Sequence, residues 1–511
     1  MELSKLKTRS TKAFADKELF RTLYESCYRV CMPQRNLISE TTPGAKRMEG
    51  VYTSVGIAAA NGFVNNMQST LTPAFVKWSE LKAGSLIPEE ARDTLNEALD
   101  AITEIVFDTI NTSSFNVATS EMYYDLAAGT GAMLIMEGAT EEKPIDFITV
   151  PIAHLALDEG PSGSVDGIWR KHKIQARLIK EQWKDAKIPS DIATQAQESP
   201  EAIIELVECT YYDYDKKKWL YCVFSEKHDD KIVTRSYEEN PWVIVRWSKI
   251  AGEVYGRGPL LQALPDINTL NKVREYSLRS FQLNAIGVYT VADQGVINAG
   301  TLKISPGGFI PVERNSGPNG PSIAPLPQSG NFNIAQFEIE TLKQDIMKLT
   351  MNNQLPPTTG PVRSATEIAE RIKASMVDTG AAYGRLMFEF VQPTMRRIIA
   401  ILIRKGRIQL PKEYAKIDTF LTKLQVLSPI AKQQNLEDVQ SITQAMGMIM
   451  QIDPTGQTLQ LGYKVEDVPE YIGNKLGVPA ILIRNKDERE ELTQQAAQLA
   501  ATQAAAQQPQ Q

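Results

Sequence analysis

The sequence predicts an α+β protein that is mainly α-helical. Three observations predict this class: helical spacing before residue 130, strand-like segments between Thr130 and Trp247, and long helical segments after Gly258. Apolar residues three and four positions apart indicate helices, whereas short runs rich in Val, Ile, Tyr and Trp indicate strands. With 511 residues, 42% of them hydrophobic, the chain can bury a sizeable core and is long enough for about three domains.

Four helices are predicted before the first strand. The first carries apolar residues from Phe20 to Cys31 and ends at Pro33, since proline in a helix interior removes a hydrogen bond and clashes with the preceding turn. The third begins at Pro88 and repeats apolar residues along one face. The four helices are predicted at 12–33, 52–71, 88–106 and 114–128.

Seven short apolar segments between Thr130 and Trp247 are predicted as strands. They are rich in residue types that strands favour, and charged turns separate the last four. Because those four follow one another closely, we expect them to form one antiparallel β-meander. The predicted strands are Ala132–Met136, Phe147–Val150, Ile168–Ile174, Ile203–Tyr212, Trp219–Phe224, Ile232–Tyr237 and Trp242–Trp247.

After Gly258 the pattern becomes helical again. A long helix is predicted at 258–285, with Pro259 in its first turn, a position that proline favours, and Pro265 soon after. A Gly- and Pro-rich module of short strands follows at 287–330. Residues 334–349 then predict a second helix.

Residues 350–363 are predicted to form a loop, because TMNNQLPPTTGPVR holds three prolines and a glycine and no acidic residue. A long helix follows. Ser364–Glu367 has capping-box spacing at its start, and the basic pair before Gly406 suits its end. Pro393 is expected to kink this helix, because it cannot donate a hydrogen bond to Glu389.

Charge and hydropathy exclude several classes of protein. The chain has 55 Lys and Arg against 61 Asp and Glu, a net charge of -6, so we do not expect it to grip nucleic acid tightly. No apolar run reaches the roughly 20 residues of a membrane span, and the N-terminus lacks the apolar segment of a signal peptide. We therefore expect neither export nor a membrane anchor.

No catalytic or metal-binding signature is present in the sequence. Gly256-Arg257-Gly258 begins like a dinucleotide loop, but Leu261 stands in place of the third glycine, and the chain has no phosphate loop. His154, His172 and His228 lie far apart and outside any metal-ligand spacing. We predict no catalytic residue, no metal site and no cofactor, and hence a protein that is not an enzyme.

The four cysteines are too few and too irregularly spaced for a secreted disulfide scaffold. Cys27 and Cys31 lie one helical turn apart, which favours a core face over a metal site that lacks its other ligands. Cys209 and Cys222 flank a predicted turn and are expected to face each other across a hairpin. A reducing compartment would keep them as two thiols.

Four motifs occur in order along the chain. They are Leu71-Thr72-Pro73 with Trp78 and Leu81; Ala128-Gly129-Thr130-Gly131 before Met133 to Met136; Tyr255-Gly256-Arg257-Gly258-Pro259 with Asp266, Leu270 and Asn271; and Ala365-Thr366-Glu367-Ile368 with Gly380, Arg385, Glu389 and Pro393. Each is weak alone. In this order the chain, over roughly Phe20 to Pro479, resembles the portal (head-to-tail connector) proteins of short-tailed, T7-like bacteriophages, although Thr130 stands where that family commonly has asparagine.

The resemblance implies the portal fold, with wing, stem, clip and crown regions assembled as a ring. It assigns the regions as follows: wing 1–257, first stem helix 258–285, clip 286–332, second stem helix 333–349, tunnel loop 350–363, long kinked wing helix 364–410, crown and C-terminal helical region 411–485, and a flexible Ala/Gln-rich tail 486–511.

Function and partners are implied by the same resemblance. Family members form closed rings of about twelve subunits at one capsid vertex, through which double-stranded DNA is packaged and ejected. The implied partners are the terminase motor, then the tail adaptor and tail proteins, with capsid and scaffolding proteins; assembly takes place in the host cytoplasm and the ring resides in the virion. A net acidic subunit suits DNA that slides, since each phosphate contact from Lys or Arg adds affinity.

Within the tunnel loop, Asn352, Asn353, Gln354 and Arg363 are the implied DNA-channel residues. The alternative is that 350–363 is a flexible connector whose polarity only reflects exposure, and the sequence leaves both open. For the whole protein, two alternative functions are a DNA-packaging enzyme, either motor ATPase or nuclease, and a tail-adaptor or scaffolding protein. The missing phosphate loop argues against the motor, and adaptors and scaffolds are usually smaller.

Overall fold

The structure is a computed structural model. It describes residues 2–38, 44–45, 47–84, 87, 89–161, 163–228, 230–292, 307–312, 321–325, 332–352, 380–409, 422–426, 429–453, 462–476, 478, 484 and 489. The predicted capping box at Ser364–Glu367 and nearly all of the Ala/Gln-rich tail lie outside these residues. The described part is mainly helical with four sheets, which confirms the predicted α+β class.

The four N-terminal helices lie where they were predicted, although the first begins earlier, at Leu3. Thirteen helices are described. They are α1 Leu3–Cys31, α2 Val55–Thr70, α3 Glu89–Asn111, α4 Phe115–Ala128, α5 Ile179–Gln182, α6 Ser190–Glu198, α7 Pro259–Gln262, α8 Leu264–Ile286, α9 Phe332–Leu349, α10 Gly380–Leu386, α11 Gln392–Arg404, α12 Pro429–Ile452 and α13 Val468–Leu476.

Two predicted long helices are interrupted in the structure. The helix predicted at 258–285 is divided at Ala263 into α7 and α8, two residues before Pro265, which has no N–H to continue the hydrogen-bond ladder. In the second helix, a π-helical turn at Met387–Val391 separates α10 from α11, directly before Pro393. The kink predicted at Pro393 stays a prediction, although π turns are among the known causes of kinks in helices.

Thirteen strands form the four sheets. They are β1 Ser79–Ala83, β2 Thr130–Glu137, β3 Ile145–Thr149, β4 Leu155–Glu159, β5 Val165–Gln175, β6 Ile203–Asp213, β7 Lys218–Phe224, β8 Lys231–Tyr237, β9 Trp242–Arg246, β10 Tyr289–Ala292, β11 Phe309–Val312, β12 Ile323–Pro325 and β13 Thr422–Val426. Strands β4 to β8 form an antiparallel five-stranded meander. In the small sheet, β10 pairs in parallel with β11 and antiparallel with β12.

The prediction that Trp242–Trp247 belongs to the meander is wrong. Strand β9 pairs instead with β2, in a three-stranded sheet completed by β3. All five β9 residues are buried, so the strand needs cover on both faces, which the outermost strand of a meander would not have. Asn240 makes the turn after β8 by accepting a hydrogen bond from the Trp242 N–H.

The largest core cluster joins α1, α2, α4, α7 and α11 to the sheet of β2, β3 and β9. Two smaller clusters pack around the meander. Cys27 and Cys31 are buried in the main core, as predicted. Cys209 and Cys222 lie opposite each other on β6 and β7, which confirms that they face each other across the hairpin. Both are free thiols. No helix in the described ranges is both long enough and apolar enough to cross a membrane.

Asp125 of α4 is a buried carboxyl group within the main core. Burial raises the pKa of Asp125 from its ordinary 3.8 to about 6, although hydrogen bonds from the Tyr28 hydroxyl and the Ile152 N–H act in the opposite direction. The folded protein therefore holds this proton more tightly than the unfolded chain. Its contribution to stability is fully present below pH 3.8 and is lost as the pH rises through about 6.

We expect Asp125→Asn to remove this part of the pH dependence. The difference in the free energy of unfolding between wild type and variant should shift in favour of the variant as the pH rises from 4 to 7. Urea denaturation of both proteins across this range measures the difference. Parallel curves for the two proteins would contradict the assignment to Asp125.

Candidate functional site

The first residues of the predicted tunnel loop directly continue α9. Thr350 is buried, and its hydroxyl donates to the Ile346 carbonyl at 2.8 Å. Met351 has a positive φ of 56°, and the N–H of Asn352 donates to the Met347 carbonyl at 2.9 Å. These are the features of a Schellman C-cap, in which glycine usually takes the left-handed position. Here a methionine adopts that conformation at a steric cost, so other contacts must favour it.

Those contacts come from one face of α2, which we call the α2 seat: Ala58, Gly62 and Asn66. The Asn66 side chain donates to the Met351 carbonyl at 2.8 Å, and the Asn352 side chain donates to the Ala58 carbonyl at 3.4 Å. Between them lies Gly62. A Cβ placed there would lie 2.1 Å from Asn352 Cγ, so only glycine leaves room for the Asn352 side chain. Residues four apart share one side of a helix, which brings all three beneath the chain that leaves α9.

Of the four predicted DNA-channel residues, the structure describes only Asn352, and its side chain lies against α2. Asn353, Gln354 and Arg363 are outside the described residues. The predicted approach of these side chains to DNA is therefore untested. Sequence reasoning missed the α2 seat, whose only signal was an Ala, a Gly and an Asn spaced four apart in a small-residue helix.

A buried ion pair joins the end of strand β9 to the π turn between α10 and α11. Arg246, the last residue of β9, donates from Nη2 to Glu389 Oε1 at 2.7 Å and from Nε to Oε2 at 3.2 Å. Glu389 belongs to the π turn and also accepts from Arg385 at 3.0 Å. Arg–carboxylate pairs with two parallel hydrogen bonds constrain geometry strongly. The π turn is thereby attached to the end of β9.

A cavity of about 780 Å³ lies between the end of β9, the start of α7, the end of α9 and the start of α10. Its walls carry Lys249, Lys348 and Arg385 together with Asp266 and Asp345, so both signs of charge face it. Such a lining does not select an anion or a cation. Among the residues with described positions, no group of His, Cys, Asp and Glu could hold a metal ion.

The cluster of His172, Glu208 and Arg170 in the meander has a structural role. His172 Nδ1 lies 2.7 Å from Glu208, which also pairs with Arg170. Burial alone would raise the pKa of the Glu208 carboxyl, but the hydrogen bond with His172 and the charge of Arg170 outweigh burial and lower it. A buried carboxylate paired in this way ties strand β6 to strand β5, which carries Arg170 and His172.

Two of the four sequence motifs contact each other in the fold. A Cβ on Gly129, which has a φ of 151°, would lie 2.2 Å from the Gly256 carbonyl oxygen, and one on Gly258 would lie 2.1 Å from that of Ala127. Thr130 Oγ1 accepts from the Gly256 N–H at 2.8 Å. The glycines thus allow the backbone that leads into α7 to pass directly against the end of α4. Their spacing serves this backbone contact, in keeping with the rejection of a dinucleotide loop.

Comparison with known proteins supplies the family. The portal protein of Enterobacteria phage T3 is 22% identical over 512 residues, covering 96% of this chain and 90% of that protein. The portal protein of Escherichia phage T7 is 20% identical, covering 95% and 89%, and a probable portal protein of Bordetella phage BPP-1 is 22% identical, covering 81% and 76%. A chain of the solved virion of a native gene transfer agent particle is 10% identical, covers 76% of this chain and 85% of its own length, and has a TM-score of 0.31, too low to support an argument.

The family model described as bacteriophage head to tail connecting protein matches residues 3–483, which is nearly the whole length of the sequence. The match includes the four sequence motifs, the α2 seat and the ion pair between β9 and the π turn. The chain belongs to the bacteriophage head to tail connecting protein family.

Proposed function

We propose that this chain is a portal protein, a ring-forming subunit at one capsid vertex that provides the channel for genome packaging and ejection. The observation that carries this proposal is the family match over residues 3–483, together with three relatives that are named portal or probable portal proteins. Fold alone would not assign a function, but full-length similarity to proteins of one named role supports that role.

The regions assigned from the sequence become part of this proposal. Helices α8 and α9 pack against each other and flank the three-stranded sheet of β10, β11 and β12. This arrangement supports two stem helices, 258–285 and 333–349, with the clip at 286–332 between them. The wing would comprise 1–257 and 364–410, the tunnel loop 350–363, the crown 411–485 and the tail 486–511.

Exposed apolar side chains support assembly into a ring. On the described residues of α8 and α9, we define the stem face as three exposed apolar residues, Leu278, Phe281 and Phe337. Phe281 is 65% exposed and Phe337 is 74% exposed. Large apolar side chains that one subunit leaves exposed are candidates for burial in an interface between subunits. In a ring, one surface of each subunit contacts a different surface of the next subunit. The side chains of the stem face would be buried if the stem of a neighbouring subunit packed against them.

DNA is the proposed cargo of the channel and is not tightly bound. The net charge of -6 agrees with transit, because a channel rich in Lys and Arg would hold phosphates. We propose that Asn352, Asn353, Gln354 and Arg363 approach the DNA, with a connector role for 350–363 as the competing interpretation. Further proposed partners are the terminase motor, tail adaptor and tail proteins, capsid and scaffolding proteins.

The ring would be assembled in the host cytoplasm and reside in the virion. We expect it to be structural and without ATPase or nuclease activity of its own. Twelve subunits are the expected number, as in the family that the sequence resembles.

Electron microscopy of the purified protein tests the proposal. We expect closed rings of about twelve subunits with a central hole wide enough for duplex DNA. A density map should place residues 350–363 near the axis if they approach the DNA. A monomer at every concentration tested would contradict the portal function, and a ring with this loop far from the axis would contradict only its DNA-channel role.

A further inference from the structure

We propose that Gly62 and Asn66 of α2 are positioning residues that fix the start of the tunnel loop, so that helix α2 decides where the loop enters the channel. This inference rests on the proposed portal function. It adds to that function a role for a helix that lies far from the loop in sequence. Ala58 and Asn352, which are in contact, are 294 residues apart.

The geometry points to α2 because each described residue after α9 is held by a different contact. Thr350 is held by its own helix, through the Ile346 carbonyl. The Met351 carbonyl accepts from Asn66, and the Asn352 side chain reaches the Ala58 carbonyl across Gly62. Helix α2 thus holds the backbone at Met351 and the side chain of Asn352.

The backbone conformation of Met351 makes this support necessary. A methionine at a φ of 56° is less favourable than in the ordinary regions, and non-glycine residues persist there only where their surroundings impose it. The hydrogen bond from Asn66 ends on the Met351 carbonyl itself. Removing that donor takes away a hydrogen bond that holds the Met351 carbonyl in this conformation, so the turn at Met351 and Asn352 should open more often.

Helix α2 is itself firmly placed, which makes it suitable as a support. Phe63, Val64 and Met67 are buried in the main core, and Phe63 packs edge-to-face on Trp247 with ring centroids 5.2 Å apart. Gly62 and Asn66 lie on the side that faces Met351 and Asn352. A helix anchored by one face can transmit its position to the residues on another.

The first experiment uses a matched pair of charge substitutions in the full-length ring. Asn66→Asp keeps the size of the side chain but replaces the amide donor by a carboxylate that repels the Met351 carbonyl. Asn65→Asp introduces the same charge on the next residue, which is exposed. Hydrogen exchange at the amides of Met351 and Asn352 should accelerate about tenfold in the first variant and remain at the wild-type rate in the second.

The second experiment is a double-mutant cycle between Gly62 and Asn352. Gly62→Ala should fold, since alanine is the better helix former, but its Cβ would displace the Asn352 side chain. We expect faster exchange at Met351 in this variant. In an Asn352→Gly background the same substitution should have little effect, because the clash is gone.

Packaging of DNA into heads, measured as nuclease-protected DNA, provides the functional readout. Asn66→Asp and Gly62→Ala should reduce packaging severalfold, whereas Asn65→Asp should match the wild type. Unchanged exchange in Asn66→Asp, or equal effects of Gly62→Ala in both backgrounds, would show that the α2 seat does not hold Met351 and Asn352. Faster exchange with wild-type packaging would overturn its role in positioning. A wild-type ring that supports no packaging would instead contradict the proposed portal function, while the exchange measurements would still decide the seat.

Discussion

Replacing Glu389 by alanine should lower the free energy of unfolding of the subunit by about 3–5 kcal/mol, the usual result of removing one partner from a buried ion pair. The side chains of Arg246 and Glu389 are only 4% and 9% exposed. Without the carboxylate, the Arg246 charge would stay buried, and among its described partners Nη2 would keep only the neutral Gly163 carbonyl. The variant should therefore unfold at a clearly lower urea concentration.

An exposed ion pair of the meander serves as a control for this experiment. Lys173 and Glu205 lie 3.1 Å apart with side chains 71% and 73% exposed. Glu205→Ala should change the free energy of unfolding by less than about 1 kcal/mol, because water screens both charges. Similar losses for the two substitutions would contradict the view that burial makes the Arg246–Glu389 pair important. Because Glu389 sits in the π turn, the same variant should also loosen α10, as judged by hydrogen exchange.

Phe281→Asp is expected to prevent ring formation while leaving the isolated subunit folded. Burying one phenylalanine side chain contributes about 1.5–3 kcal/mol, and a carboxylate at the same place would have to lose its water. The association constant at every interface should thus fall by at least tenfold, and the loss recurs around the ring. Native mass spectrometry and electron microscopy at matched concentration measure the fraction of closed rings.

The control for this substitution keeps the apolar character of the position. Phe281→Leu should retain most of the rings, and neither variant should shift the urea midpoint of the monomer by much, because the side chain is 65% exposed within the subunit. Full ring assembly by Phe281→Asp would show that this part of the stem face lies outside the subunit interface.

Local pattern was sufficient wherever a residue's neighbours in sequence decide its structure. The one-turn spacing of Cys27 and Cys31 predicted a core face, and both are buried. Pro393 predicted a kink in its helix, since the missing N–H is a property of that residue alone, and a π turn ends two residues before it. Strands β5 to β8 of the meander were predicted because consecutive hairpins are local features, whereas β4 was not predicted.

Pairing between distant segments could not be predicted in this way. Strand β9 has the same composition as the meander strands, yet it leaves them to pair with β2, more than a hundred residues earlier. Strand β1 was missed altogether, because its partner β13 lies at 422–426. The α2 seat has the same origin: Gly62 and Asn66 acquire their role only when the end of α9 is brought against them.

The burial of the cysteines has a practical consequence for studying motion in this protein. All four cysteines of the sequence, Cys27, Cys31, Cys209 and Cys222, are free, with side chains at most 1% exposed. Maleimide dyes should not reach them while the fold is intact. A single cysteine introduced at an exposed position such as Asn65 can therefore carry a fluorophore without removal of the native thiols, so that distances across the assembly can be followed by energy transfer in real time.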